Sequence, residues 1–174
     1  MTLDVMPDAY VLEATEGEAL WFAGALVTYK TTGAETNGGL TVADVRAPKG
    51  SDSPRHRHQH EDEAWYIVSG ELTFWLGDDV RTVGAGTFVF GPRQVEHRFR
   101  VESEEAHFLL LLTPAGFEDF TRACGWPAAT RTMPPAELPE RPVAALRDAA
   151  RRHRIDVLPQ SDPKSPTQTQ GVTP

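Results

Sequence analysis

The chain has 174 residues, of which 40% are hydrophobic and 24% charged, a size and composition typical of one globular domain with its own core. Its formal net charge of −8 argues against nucleic-acid binding, which needs a basic surface, and the longest apolar run, residues 108–112, is far too short to span a bilayer. The single cysteine, Cys124, excludes an intrachain disulfide and favours a reducing compartment, the cytoplasm.

Short apolar runs separated by turn residues fill most of the first two thirds of the chain. Glycine-rich spacers such as residues 37–39 and 84–86 stand between them, which predicts an antiparallel barrel or sandwich. In the run at 72–76 the alternation places Leu72, Phe74 and Leu76 on one face. The predicted strands are residues 20–23, 25–29, 40–45, 64–68, 72–76, 87–90, 97–101 and 108–112.

Three possible metal ligands lie close together in residues 50–70. His56 and His58 stand two residues apart, so in an extended segment both imidazoles point to the same side and can bind one ion. Glu63 lies at an odd offset from both, and a straight strand would aim it at the opposite face. A turn over residues 59–62 would let Glu63 begin the next strand and face back toward the histidines.

A third imidazole, that of His97, comes from a distant strand that only a closed or nearly closed sheet would bring alongside. Three nitrogens and one oxygen suit one divalent transition metal ion, whether Ni, Co, Mn, Fe, Cu or Zn. Four protein ligands leave coordination positions open, as in catalytic sites. Two other histidines are alternatives: His60 is a rival ligand unless the chain turns before it and exposes it, and His107 is better interpreted as a satisfied core or rim histidine.

The end of the chain has a different character. Phe117, Phe120 and Cys124 are at helical spacing, Gly125 is a plausible stop, and Cys124 is expected to be a buried structural thiol rather than a nucleophile. A second helix is predicted at residues 143–154, with a stripe formed by Val143, Leu146 and Ala150.

The two metal-ligand stretches resemble the two motifs of the cupin superfamily. Residues 50–70 match the first motif, G-x5-H-x-H-x4-E-x6-G, and Gly86, Pro92 and His97 match the second. Gln94 departs from this pattern, since the family usually has glycine there and a tight turn before the histidine.

The resemblance implies an all-β fold, a small antiparallel β-barrel of jelly-roll type with C-terminal helices. The expected organisation is an N-terminal arm at 1–19, the barrel at 20–114, a helical extension at 115–158 and a disordered tail at 159–174. It also implies that the metal is held by His56, His58, Glu63 and His97.

Within the superfamily the chain looks most like the single-domain bacterial cupins related to quercetinase. That likeness implies a metal-dependent dioxygenase acting with O2 on a flavonol or a similar enolic or phenolic aromatic substrate, with Glu63 as both ligand and catalytic base. A non-redox isomerase, cyclase or hydrolase of a small carbonyl compound is an alternative, as is a small-ligand-binding cupin without catalysis. Members of this kind usually form homodimers, and the N-terminal segment and residues 20–29 could supply that contact. The aromatic side chains expected to line the substrate pocket are Trp65, Trp75, Phe90, Phe99 and Phe108.

Overall fold

Two antiparallel sheets face each other across an apolar interior in the computed structural model, which describes residues 8–139 and 141–159. The larger sheet has seven strands in the spatial order β11-β1-β2-β3-β10-β5-β8. Its strands in chain order are β1 (Glu18–Phe22), β2 (Ala25–Thr31), β3 (Thr41–Pro48), β5 (Asp62–Ser69), β8 (Phe88–Gly91), β10 (Glu105–Thr113) and β11 (Trp126–Pro127).

The smaller sheet has five strands in the order β12-β4-β9-β6-β7. Consecutive strands β4 and β5 lie in different sheets, so the chain passes from one sheet to the other between them. The all-β architecture predicted from the sequence is confirmed. The strands of this sheet are β4 (His56–His58), β6 (Glu71–Leu76), β7 (Asp79–Gly84), β9 (His97–Val101) and β12 (Ile155–Val157).

The core lies between the sheets and follows the alternation of the strands. Leu72 and Phe74 are buried, and Leu76 packs against them at the rim, as the period of two predicts. The largest side chains of the core are Trp65, Ile67, Leu72, Phe74, Phe108 and Leu112.

Two helices follow the strands of the barrel. The first, α1 (Phe117–Cys124), ends before Gly125 as predicted. Cys124 is buried without a disulfide partner, as predicted, and burial raises the pKa of its thiol. The second helix, α2 (Val143–Arg152), buries Ala149 and Ala150, whereas Val143 is 65% exposed. The predicted stripe is wrong at Val143. The buried residues of α2 lie in its last turns, since β12 follows the helix directly and packs against it.

The segment predicted as a helical extension also adds a strand to each sheet. Trp126 and Pro127 pair with β1, and β12 pairs with β4 along its whole length. These short strands carry too few apolar residues for the alternation to reveal them. The predicted tail lies, from residue 160 onward, outside the described residues, as do residues 1–7. None of the helices within the described ranges is long and apolar enough to cross a membrane.

Candidate metal centre

The passage of the chain from one sheet to the other brings His56 and His58 on β4 face to face with Glu63 on β5. Strand β4 is only three residues long, and bends at residues 59–60 lead the chain into β5 of the opposite sheet. His56 and His58 therefore point inward from the small sheet, while Glu63 points inward from the large one. The predicted turn before Glu63 is confirmed, and His60 within it is exposed.

The third imidazole reaches the same point through strand pairing. His97 is the first residue of β9 and lies directly opposite His56 in the β4–β9 ladder. One potential ligand atom from each of His56, His58, Glu63 and His97 lies within 4.8 Å of all the others. All four predicted ligands are thus brought together.

The Glu63 carboxylate is the centre of this group. Its Oε2 atom lies 2.9 Å from His97 Nε2, 3.0 Å from His58 Nε2 and 3.9 Å from His56 Nε2. Donor atoms about 2.1 Å from one ion are about 3.0 Å apart at right angles and about 4.2 Å apart when opposite. The three observed separations, from 2.9 to 3.9 Å, lie close to or between these two values.

Two features of the histidines are those expected of metal ligands. His58 Nε2 is buried and has no hydrogen-bond partner among the described residues, although it lies 3.0 Å from the Glu63 carboxylate. The opposite ring atoms are already engaged: Nδ1 faces a backbone carbonyl at 2.7 Å in His56 and 3.0 Å in His97, and a carboxylate at 3.3 Å in His58. With the proton on Nδ1, each ring turns the lone pair of its Nε2 toward the shared centre, where His97 Nε2 lies at hydrogen-bond distance, 2.9 Å, from Glu63 Oε2.

The charges of the cluster are strongly coupled. Burial acts to raise the pKa of Glu63, but the imidazoles of His58 and His97 outweigh it and hold the pKa well below its usual range. Burial acts to lower the pKa of His58, yet the carboxylates of Glu63 and Glu61 raise it to about 9. In His56, burial and the nearby His97 lower the pKa to about 4. Glu63 is thus ionised at neutral pH, as a metal ligand must be.

The aromatic residues predicted to line the pocket divide between the two sides of the sheets. Trp65 and Phe108 are buried inside, Phe99 packs against them, and Trp65 lies 5.5 Å from the His97 ring. The prediction is wrong for Trp75, which lies under Arg98 on the outer face, and for Phe90, which is 51% exposed. Both have the opposite strand parity to their inward neighbours.

Three residues near the centre escaped the sequence prediction. Phe74 lies 5.1 Å from Trp65, and the alternation that placed it on the inward face was a sufficient signal. Phe117 at the start of α1 lies 5.5 Å from the His58 ring, and Glu61 is the carboxylate on His58 Nδ1. No sequence signal identified these two. His107, as expected, lies outside this cluster and has its own hydrogen-bond partner, with Nε2 2.7 Å from Asp44 Oδ2.

Gln94 shows how the chain accommodates its departure from the second motif. It has the positive φ of 68° that glycine adopts easily. Its backbone N–H donates to His58 O at 2.8 Å and its side-chain amide to Gln59 O at 3.0 Å. The tight turn is kept, and these bonds join it to the end of β4.

Residues 43–113 match the family model described as Cupin domain. The chain is 29% identical over 135 residues to quercetin 2,3-dioxygenase of Bacillus subtilis (strain 168), covering 76% of this chain and 40% of that enzyme. With quercetin 2,3-dioxygenase of Aspergillus japonicus it shares 27% identity over 118 residues, 63% of this chain and 33% of the enzyme. The chain therefore spans well under half the length of either relative. Among solved structures, an RmlC-like cupin from Shewanella frigidimarina NCIMB 400 has a TM-score of 0.57 at 20% identity, covering 66% of this chain and 98% of that one.

Proposed function

We propose that this chain, which carries a cupin domain over residues 43–113 and resembles quercetinase, is a metal-dependent dioxygenase. Its proposed substrates are O2 and a flavonol or a similar enolic or phenolic aromatic compound. The observation that carries the proposal is the buried convergence of His56, His58, Glu63 and His97 beside an aromatic interior.

The four residues would hold one divalent transition metal ion. When bound, such an ion supplies Lewis acidity and, if redox-active, a route for electrons between an organic substrate and dioxygen. The protein supplies the ligand geometry, a water-poor interior and fixed positions for the imidazoles.

Glu63 has the properties of a proton acceptor as well as those of a ligand. It is ionised and only 4% exposed, and its negative charge is stabilised by the neighbouring imidazoles. If the carboxylate turns away from them toward a substrate hydroxyl, burial becomes the dominant effect and raises its proton affinity. A carboxylate in this position can then take the hydroxyl proton at one of its oxygens.

The proposed contact surface for a flat aromatic substrate is the group of aromatic side chains on the histidine side of the core. Trp65, Phe99 and Phe108 offer ring surfaces, and the indole N–H of Trp65 is buried without a hydrogen-bond partner in the described structure. A buried donor of this kind gains from a substrate oxygen. The wall thus provides both apolar contact and one polar contact.

The deciding experiment is oxygen uptake by protein of known metal content, with a panel of flavonols and other enolic compounds. Uptake that needs the metal, is matched by carbon monoxide release and vanishes in His97→Ala supports flavonol cleavage. A wild-type protein that binds no divalent transition metal would overturn the proposal. Substrate binding without turnover, in metal-loaded protein, would indicate a ligand-binding cupin.

A non-redox reaction is the second candidate, because the chain spans only 40% and 33% of the two quercetin dioxygenases. A metal ion held by these four ligands can also polarise a carbonyl, while Glu63 moves a proton during isomerisation, cyclisation or hydrolysis. Turnover of a carbonyl compound at an unchanged rate under anaerobic conditions would favour this function.

The proposed assembly is a homodimer through the outer face of the large sheet. Residues 20–29 are mostly buried within the chain, which leaves them unsuited to the contact expected from the sequence. The exposed side chains of Tyr66, Val68, Phe88 and Phe90 instead form an apolar face at the β5–β8 edge. The three aromatic residues alone expose about 300 Å², so more than half of an interface of about 800 Å² per partner would come from the surface around them. The proposed location remains the cytoplasm, since Cys124 is buried and unpaired.

A further inference from the structure

His58 differs from the other two histidines in what faces its Nδ1 atom. His56 and His97 face the uncharged carbonyls of Pro54 and Val95, whereas His58 faces the Glu61 carboxylate at 3.3 Å. The His58 ring thus has a carboxylate beside each nitrogen, with Glu63 Oε2 3.0 Å from Nε2. Only one of the three imidazoles has a charged acceptor behind it.

Glu61 is buried against the ring of His58. It is 5% exposed, and within the described parts of the chain His58 is its only ion-pair partner. The nearby guanidinium of Arg93 is engaged by Asp62, with a closest ion-pair distance of 2.8 Å. A buried carboxyl group is costly unless it is hydrogen-bonded or paired, and His58 Nδ1, at 3.3 Å, is the partner that the described structure gives Glu61.

The chain packs closely over this carboxylate. A Cβ atom added at Gly116 would lie 3.2 Å from Glu61 Oε1, and Phe117 covers the His58 ring edge-on with centroids 5.5 Å apart. The beginning of α1 therefore closes the back of His58 and limits the movement of the Glu61 side chain. His58 and Glu61 are thus held in place by residues of α1 and its start that are not themselves metal ligands.

We propose that Glu61 is a positioning residue of the metal centre: it orients His58, keeps the proton on Nδ1 and makes Nε2 a stronger donor toward the ion. With Glu63 it gives the centre two negative charges, which balance one divalent cation. A carboxylate behind a ligating histidine typically contributes about 10- to 100-fold in metal affinity. This inference rests on the metal site of the proposed function and is independent of its oxygen chemistry.

Glu61→Gln tests the proposal because it keeps the shape of the side chain and removes its charge. The matched control is Asp44→Asn, which alters a carboxylate–histidine pair of the same chemistry, 2.7 Å from His107 and outside the centre. Co(II) affinity would be measured by chelator competition, together with the visible spectrum of the Co(II) protein. Nitrogen-15 NMR of the metal-free proteins would report which His58 nitrogen carries the proton.

We expect Glu61→Gln to lose about 10- to 100-fold in Co(II) affinity and to change the spectrum, while Asp44→Asn matches the wild type. Unchanged affinity in Glu61→Gln would overturn the role of Glu61 and leave the metal site intact. Wild-type protein that binds no Co(II), Ni(II) or Zn(II) would overturn the proposed function as well. If Glu61→Gln does not fold, Glu61→Asp keeps the carboxylate but moves it away from His58, because the side chain is one methylene shorter. Unchanged Co(II) affinity and unchanged His58 protonation in Glu61→Asp would contradict the proposal.

Discussion

His56 lies directly opposite His97 in the β4–β9 ladder, with ring centroids 4.3 Å apart. This single cross-strand pair joins the two sequence motifs, so the backbone register itself positions two of the four ligands. His58 and Glu63 then complete the centre from the same strand and from the opposite sheet. The site is consequently as rigid as the strands that carry it.

Replacing one of the paired histidines should remove the metal without removing the fold. His97→Ala leaves three ligands and a gap at the centre, so we expect wild-type metal content to fall to trace levels in elemental analysis. His107→Ala is the matched control, because that histidine pairs with Asp44 on the outer face. A His97→Ala protein with a full complement of metal would contradict the four-ligand assignment.

Glu63→Gln should abolish turnover more completely than it reduces metal binding. The amide keeps one oxygen near the histidines but can no longer accept a proton, and general-base catalysis typically contributes about 10²- to 10⁴-fold. We expect kcat to fall by at least about 100-fold in protein reloaded with metal. Glu105→Gln, on the exposed end of β10, controls for loss of charge. Wild-type rates in metal-loaded Glu63→Gln would exclude the base role.

The sequence predicted the ligands well because their positions depend on strand parity and one turn. Trp75 and Phe90 were misplaced, although the same parity that puts Phe74 inward puts them outward. Aromatic character alone does not distinguish the inward face of a strand from its outward face.

Glu61 could not be predicted at all. Its role depends on the start of α1 folding back over His58, a contact between distant parts of the chain. Strand β12 was missed for a similar reason, since its three residues are defined by pairing with β4 rather than by their own pattern.

The stability of metal-free protein should be greatest near neutral pH. The folded protein keeps the His58 proton up to about pH 9, whereas an unfolded chain releases it near 6.5, so the free energy of unfolding falls as pH rises between these values. His56 has the opposite effect: the unfolded chain takes up its proton near 6.5 and the folded protein only near 4, so stability also falls as pH drops through that range. The lowered pKa of Glu63 adds to the loss of stability below about pH 4.5.

Thermal unfolding of chelator-treated protein, followed by circular dichroism from pH 4 to 9, checks this profile. Metal binding requires His58 without its Nε2 proton, so the gain in Tm on adding metal should grow from pH 6.5 to 9. In metal-free His58→Gln, Tm should no longer fall as pH rises from 6.5 to 9. A Tm that is the same across the range would show that the cluster does not couple to folding.

Phe88→Ser should dissociate the proposed dimer. Phe88 is 60% exposed, more than Tyr66 or Phe90, and it pairs with Tyr66 at the centre of the apolar face, where a serine would remove its apolar contact. Val143→Ser is the control, since Val143 is equally exposed but lies on α2. Sedimentation equilibrium should give a dimer for wild type and Val143→Ser and a monomer for Phe88→Ser. A monomeric wild type at micromolar concentration would refute the homodimer.

Trp65 and Trp75 provide a matched pair for testing which side of the small barrel meets the substrate. Trp65 is 1% exposed, lies 5.5 Å from the His97 ring and has an unpaired indole N–H, whereas the Trp75 ring stacks with Arg98 outside. Trp65→Phe keeps an aromatic surface but removes the donor, so we expect kcat/KM for an accepted aromatic substrate to fall about tenfold, equivalent to about 1.4 kcal/mol. Trp75→Phe should keep the wild-type value. Equal effects of the two substitutions would mean that the substrate does not enter the interior beside the histidines.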